Sequence, residues 1–217
     1  CRRAIAYLTQ TRKLDYNMIT DLIKQGKITQ DLKGNAVFKI IDENGITVGA
    51  ELVGTSTENR FKGIAPESAY GYGFEVCRGK GENALFFESS IDMLSYLQSY
   101  SNELDNHRLI SMIGVKPGTV ENTIQRYGIS PENTYLCADN DTAGNNFVAR
   151  LKEKYPQMHR ICTVNPYKDW NEQLKLGIKE KTIDFSDLMR YNKGDEDMDV
   201  NVVKTAYTDS IGKITSS

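Results

Sequence analysis

The sequence predicts an α/β chain: a parallel four-stranded sheet with flanking helices, preceded by a small α+β domain of two helices plus an antiparallel sheet. Three observations carry this expectation. Before residue 78 the apolar residues first repeat at helical spacing and then gather into short runs joined by a tight turn. Gly79-Lys80-Gly81-Glu82-Asn83 interrupts the chain with turn formers. Beyond it, four short apolar runs alternate with helical patterns, as in a parallel sheet covered by helices.

Ala4, Ile5, Tyr7 and Leu8 place a stripe on a first helix over 3–12. Asp15 stands where an N-cap belongs, ahead of Met18, Ile19, Leu22 and Ile23, and Gly26 stops this second helix. Val37, Phe38, Ile40 and Ile41 precede Asp42-Glu43-Asn44-Gly45, and another apolar run follows over 46–53. Asn-Gly between such runs signals a hairpin. Residues 60–63 and 72–77 read as further short strands of the same antiparallel sheet. Past the break, strands are expected at 84–88, 109–113, 134–138 and 160–164. Helices are expected at 91–100, at 117–127 with Pro117 opening and Gly128 closing it, at 143–155 and at 170–176. Periodicity fades after about residue 192, and Asp195-Glu196-Asp197-Met198-Asp199 reads as a solvated acidic linker. The expected divisions are therefore 1–83, 84–192 and 193–217.

The 217 residues are 39% apolar and 26% charged, as in a soluble globular chain. Lys plus Arg number 27 and Asp plus Glu 29, a net charge of −2, which excludes a domain that grips nucleic acid by bulk charge. The balance is uneven: residues 1–33 carry seven basic and three acidic side chains, net +4, and the remainder is acidic. No run approaches the roughly 20 apolar residues of a membrane span, and no secretory leader stands at the start. A chain that opens on Cys1 rather than Met is expected to be a piece cut from a longer one. Its four cysteines are far apart and form no CxxC, as in a reduced, cytoplasmic protein without a cysteine zinc site. His107 and His159 stand alone and are expected at the surface.

Open parallel sheets bind ligands at the carboxyl ends of their strands. There the sequence places Glu88, then Asp139-Asn140-Asp141-Thr142-Ala143-Gly144, then Lys168-Asp169-Trp170-Asn171-Glu172. Glu88, Asp139, Asp141 and Asp169 are expected to converge on one rim, with Asp92 one helical turn beyond Glu88. Crowded carboxylates repel unless a cation neutralises them. Hard oxygen ligands suit Mg²⁺, or Mn²⁺ in its place. Gly144 allows a tight turn into a helix. The alternative for each acid is a structural one: Asp141 or Thr142 as an N-cap, and Glu88-Ser89-Ser90 as simple capping.

Phe87-Glu88-Ser89-Ser90-Ile91-Asp92-Met93-Leu94-Ser95 resembles the glutamate motif of Toprim domains. These are the catalytic domains shared by bacterial-type primases, type IA and type II topoisomerases and certain nucleases. Asp139-Asn140-Asp141-Thr142-Ala143-Gly144 resembles the family's DxD motif, and Lys168-Asp169-Trp170-Asn171-Glu172-Gln173-Leu174 resembles its last acidic motif in the primase-like form. Ser111-Met112-Ile113-Gly114 is similar to the loop after its second strand. The resemblance spans residues 84–177. Ser89 replaces the usual glycine, and Ala143 stands where topoisomerases carry a third aspartate, which favours the primase-like branch. Arg3-Ala4-Ile5-Ala6-Tyr7-Leu8, Thr11-Arg12-Lys13-Leu14-Asp15 and Phe61-Lys62-Gly63 resemble an uncharacterised domain that precedes Toprim in proteins of plasmids and conjugative elements.

The resemblance implies a Toprim-like, Rossmann-type fold. It also implies Mg²⁺-dependent nucleotidyl or phosphoryl transfer on DNA or RNA, with nucleotides as further partners, in mobile-element replication or transfer. Glu88 would be the general acid or base. Asp139 and Asp141 would hold Mg²⁺ (or Mn²⁺), Asp169 would support a second ion or a water, and Asp92, Gly144 and Asn171 would lie around them. The alternatives are a Toprim nuclease, or a catalytically silent module that binds DNA or a replication or transfer protein. Lys116 and Lys168 are either phosphate contacts or solvated lysines. Arg60, Lys62, Arg78 and Lys80 either line a nucleic-acid groove, with Phe61 or Tyr72 stacking on bases, or are scattered cations around a core Phe61.

Overall fold

Capping sets the first elements. α1 (Arg2–Ala6) runs into a π-helical turn, Tyr7–Thr11, in which Arg12 N donates to Tyr7 O at 3.0 Å. Tyr7 and Leu8 are both buried there. Asp15 Oδ1 accepts from Met18 N at 2.8 Å and starts α2 (Tyr16–Lys24), whose Ile19 and Leu22 face the core. The sequence expected one regular helix over 3–12; the widened turn is a local feature of the kind often found near functional sites.

A computed structural model describes residues 1–56 and 61–183, and residues 1–183 form one compact unit. The expected acidic tail at 193–217 lies outside the described residues. The first sheet is antiparallel, β1 (Ile28–Gln30), β2 (Ala36–Ile41), β3 (Thr47–Val53) and β4 (Lys62–Ile64), in chain order. The second sheet comprises β5 (Phe74–Cys77), β6 (Asn83–Phe87), β7 (His107–Ser111), β8 (Thr134–Leu136), β9 (His159–Thr163) and β10 (Lys181–Ile183). Its order is β10-β9-β8-β6-β7-β5. The four inner strands are parallel, as the alternating pattern predicts, and each edge strand is antiparallel to its neighbour. The connecting helices are α3 (Ser90–Ser99), α4 (Pro117–Tyr127) and α5 (Thr142–Lys154), and α6 (Trp170–Lys175) follows β9. Gly128 closes α4 at φ 63°.

The position of β5 differs from expectation. Residues 72–77 read as a strand of the first sheet, yet β5 pairs with β7 of the second, Phe74 opposite Ser111 and Cys77 opposite Arg108. Glu75 ion-pairs with Arg108 of β7, while the buried Phe74 ring reaches back to Phe38 of β2, edge-on at 5.3 Å. One apolar cluster therefore runs through both halves, from Ala4, Leu8, Ile19 and Phe38 to Phe74, Phe87, Leu94 and Trp170. The histidines also depart from expectation. His159 is buried and stacked on Tyr135 at 5.0 Å, and His107 is half-buried, because each opens an inner strand. Among the described residues no helix is long and apolar enough to cross a membrane.

Phe74→Ala should cost about 3–5 kcal/mol, by analogy with other buried phenylalanine truncations. Because the core is shared, denaturant melts followed by Trp170 fluorescence and by far-UV dichroism should coincide in wild type and variant. Separate transitions for the two probes would contradict a shared core.

Candidate functional site

The parallel strands of the second sheet deliver their acids to one end. Glu88 follows β6, Asp139 follows β8, and Asp169 caps α6 after β9. Glu88 Oε1 accepts from Asp139 N at 3.1 Å, so the first and third motifs touch directly. The backbone carbonyl of Glu88 accepts from Gly114 N at 2.7 Å, which brings in the loop after β7. Ser89 caps α3 and its hydroxyl donates to Asp92, whose other oxygen accepts from Asn171 N at 3.2 Å. Asn171 also donates to Arg12 O at 2.8 Å and to Ser95 Oγ at 3.0 Å.

Asp92, Asp139 and Asp169 share a cleft of about 270 Å³ with Tyr7, Arg12, Glu51, Phe61 and Lys62 of the N-terminal part. Crowding in this cleft shifts proton affinities. Burial, then repulsion from Asp92, Glu88 and Asp169, pushes the Asp139 carboxyl up to about 8. Burial and then Asp169 push Asp92 up to about 6. Burial also raises Glu88, reinforced by Asp141 and opposed by the bond from Asp139 N and by Lys62 and Lys168.

Asp141 sits differently. It caps α5 through Gly144 N at 2.9 Å and pairs with Lys168 Nζ at 3.0 Å, and these contacts hold its carboxyl below the usual range. Asp169 likewise caps α6, accepting from Glu172 N at 2.7 Å. The expected caps are thus present at Asp141 and at Ser89, and Asp169 adds one that the sequence reading did not name. Gly144 is required by contact: a Cβ there would collide with Asp139 O and crowd Glu88 Oε1.

The weaker sequence candidates divide. Lys62 reaches the cleft, and Lys168 bridges to Asp141. Lys116 caps the start of α4 with its amine partly buried, near enough to feel Glu51. Phe61 lines the cleft half-exposed rather than in the core. Lys80 is not brought to the cleft. Its amide bonds Asn106 at the amino ends of β6 and β7, the opposite end of the sheet from Glu88. Arg78 is at that same end and pairs with Asp105. Arg60 lies outside the described residues.

Two residues at this site escaped the sequence reading. Arg160, buried on β9, donates to Asp139 O and Asn145 Oδ1, both at 3.1 Å, and clamps the loop between β8 and α5. Glu51, fully buried on β3, binds Ser90 and Ser111. The signal available for each was a charge inside an apolar strand run.

The donor set suits a hard divalent cation. The carboxylates supply only oxygen, and Asp139 Oδ1 is buried without a hydrogen-bond partner. Among the described residues no group of three or more His, Cys, Asp or Glu side chains is already gathered to hold a metal.

A carboxyl raised by folding stabilises the folded state below its unfolded pKa, and that stability is lost as pH rises through the folded value. For Asp139 the window runs from 3.8 to about 8, and Asp92 adds to it from 3.8 up to about 6. Metal-free thermal melts should therefore show a falling Tm across this interval. Asp139→Asn should flatten the upper part and melt higher than wild type at its alkaline end. A wild-type Tm that rises through the same interval would contradict the crowding.

Comparison with known proteins agrees with this architecture. Residues 85–174 match the family described as Toprim-like, and residues 6–82 match a family described as a protein of unknown function, DUF3991. An uncharacterized protein of Bacillus anthracis is 33% identical over 204 residues, covering 82% of this chain and 58% of that protein. A 65 kDa protein of Zymomonas mobilis is 27% identical over 188 residues, covering 78% and 31%. The chain thus spans 58% and 31% of the length of these two relatives. Among solved structures, the primase fragment of the bacteriophage T7 primase-helicase superposes with a TM-score of 0.58 at 18% identity, covering 83% of this chain and 72% of that one. The DnaG catalytic core gives 0.51 at 16%, covering 80% and 68%. The chain is a DUF3991 domain followed by a domain of the Toprim-like family, in a fold shared with DNA primases.

Proposed function

We propose that the chain is the core of a Mg²⁺-dependent, primase-like nucleotidyl-transfer module acting on DNA or RNA in mobile-element replication or transfer. The observation that carries the reading is the cleft. Glu88 bonds the backbone of Asp139 there, and the Asp139 carboxyl holds its proton up to about 8 beside Asp92 and Asp169. Burial and the neighbouring carboxylates that raise Asp139 favour whatever brings positive charge to it, a proton or a metal cation. Support from likeness comes from the T7 primase domains, solved bound to an RNA/DNA hybrid and dTTP; their TM-score is 0.55 at 18% identity.

Mg²⁺ or Mn²⁺, when bound by Asp139 with Asp141 and Asp169, would supply a charge clamp for phosphoryl oxygens. The chain's own groups do the rest. Glu88, whose carboxyl is raised above the ordinary range by burial, would exchange a proton there as general acid or base. Asp92 and Asn171 fix the start of α3 against α6. Lys168 and Lys62, both half-exposed beside the carboxylates, meet incoming phosphates. Phe61 offers a ring on which a base can stack. The reading makes the acidic net charge intelligible, because the positive charge of such a site arrives with the cation.

Calorimetry with Mn²⁺ should show binding to wild type that weakens at least tenfold in the Asp139→Asn/Asp141→Asn double variant, as loss of two charged ligands requires. With a single-stranded template and nucleoside triphosphates, Glu88→Gln should lower primer synthesis by about 10²–10⁴-fold, the usual worth of a proton-transfer group. Equal Mn²⁺ affinity in the double variant would remove the metal site. Nicking without synthesis in wild type would reassign the reaction to a nuclease, and neither activity with retained DNA affinity would reassign it to a binding module.

A further inference from the structure

Glu51 lies in the DUF3991 part, on a strand that flanks the cleft, and takes no part in the acid motifs. Its side chain is fully buried. Oε2 accepts from Ser90 N at 3.0 Å, from the Ser90 hydroxyl, and from the Ser111 hydroxyl at 3.4 Å. Ser90 is two residues after Glu88. Ser111 ends β7, directly before Met112, whose amide bonds Phe87 O at 2.8 Å. Oε1 has no hydrogen-bond partner, and Lys62 Nζ stands 3.8 Å from it. A buried carboxylate in a non-catalytic strand is costly unless its bonds repay it. Here the bonds join the turn carrying Glu88 to the end of β7, and an ion pair adds the strand carrying Lys62.

We propose that Glu51 is a positioning residue, which sets the Glu88 turn through Ser90 and Ser111 with one oxygen and holds Lys62 on the cleft, ready for a substrate phosphate, with the other. The proposal rests on the phosphoryl-transfer reading of the site and deepens it, since it makes the DUF3991 part a structural half of that site. The division of labour is chemical. The hydroxyls and amide of the turn need only an acceptor, which a glutamine also provides. Lys62 needs a charge. A lysine held by an ion pair on one side keeps further N–H donors for a phosphate, and its long chain is ordered before the ligand arrives.

The test uses the full chain as wild type, Glu51→Gln, Glu51→Ala and Asp139→Asn. Amide hydrogen exchange at Ser90 reads the turn. Calorimetry with Mn²⁺ alone, and with ATP in saturating Mn²⁺, reads the cleft. Glu51→Gln should keep Ser90 protection and the affinity for Mn²⁺ alone, and should weaken ATP about tenfold, the worth of one lost charge-assisted contact. Glu51→Ala should in addition speed Ser90 exchange by about tenfold or more through loss of the acceptor. Wild-type ATP affinity in Glu51→Gln, or wild-type Ser90 exchange in a folded Glu51→Ala, would overturn the proposal. If Glu51→Ala does not fold, the glutamine variant alone decides through its ATP affinity. Wild type that binds Mn²⁺ no better than Asp139→Asn would instead sink the metal reading, and Ser90 exchange would still judge Glu51.

Discussion

The constraint on which the site depends is the crowding of carboxylates in a half-dry cleft. Asp92, Asp139 and Asp169 line it, Glu88 bonds the Asp139 amide beside it, and the four cannot all ionise without repulsion. The chain relieves that repulsion in distinct ways. Asp139 and Asp92 hold protons into the range of about 8 and about 6. Asp141 escapes to a helix cap and a lysine. Asp92 takes hydrogen bonds from Ser89 and the Asn171 amide. Each solution is reversible, which is what a site for a divalent cation and a polyanionic substrate requires.

The supporting structure follows from holding this crowd in register. Arg160 fixes the carbonyl of Asp139 from behind, and Gly144 leaves no room for any other residue at the turn beneath it. The DUF3991 part closes the open side of the cleft through Tyr7, Arg12, Phe61 and Lys62. It is tied to the Toprim-like part by β5, which follows the small sheet in the chain yet pairs in the large one, and by the Phe38–Phe74 contact. The shared core makes the two sequence families one mechanical unit.

Much of this was legible in the sequence because it depends on local chemistry. The Asp15 cap, the turn at Asn44-Gly45, the stop at Gly128 and the four parallel strands need only neighbours along the chain. That Glu88 follows β6 and Asp139 follows β8 was legible for the same reason, since each position needs only its own strand. What was not legible depends on long-range partners. Glu51 is 39 residues from Ser90 and 60 from Ser111. β5 has the composition of any short strand, and it pairs with β7, whose Arg108 is distant in sequence. Lys80 looked close to the site along the chain, but the strand between Asn83 and Phe87 carries the chain across the sheet and leaves Lys80 at the far end.

The most direct measurement is the anomalous scattering of a crystal of this chain soaked in Mn²⁺. The account predicts a peak in the cleft bonded to Asp139 Oδ1, the buried oxygen that no hydrogen bond satisfies. A saturating soak that leaves Asp139 bare, or that places its only peak away from Glu88, Asp139 and Asp169, would contradict it.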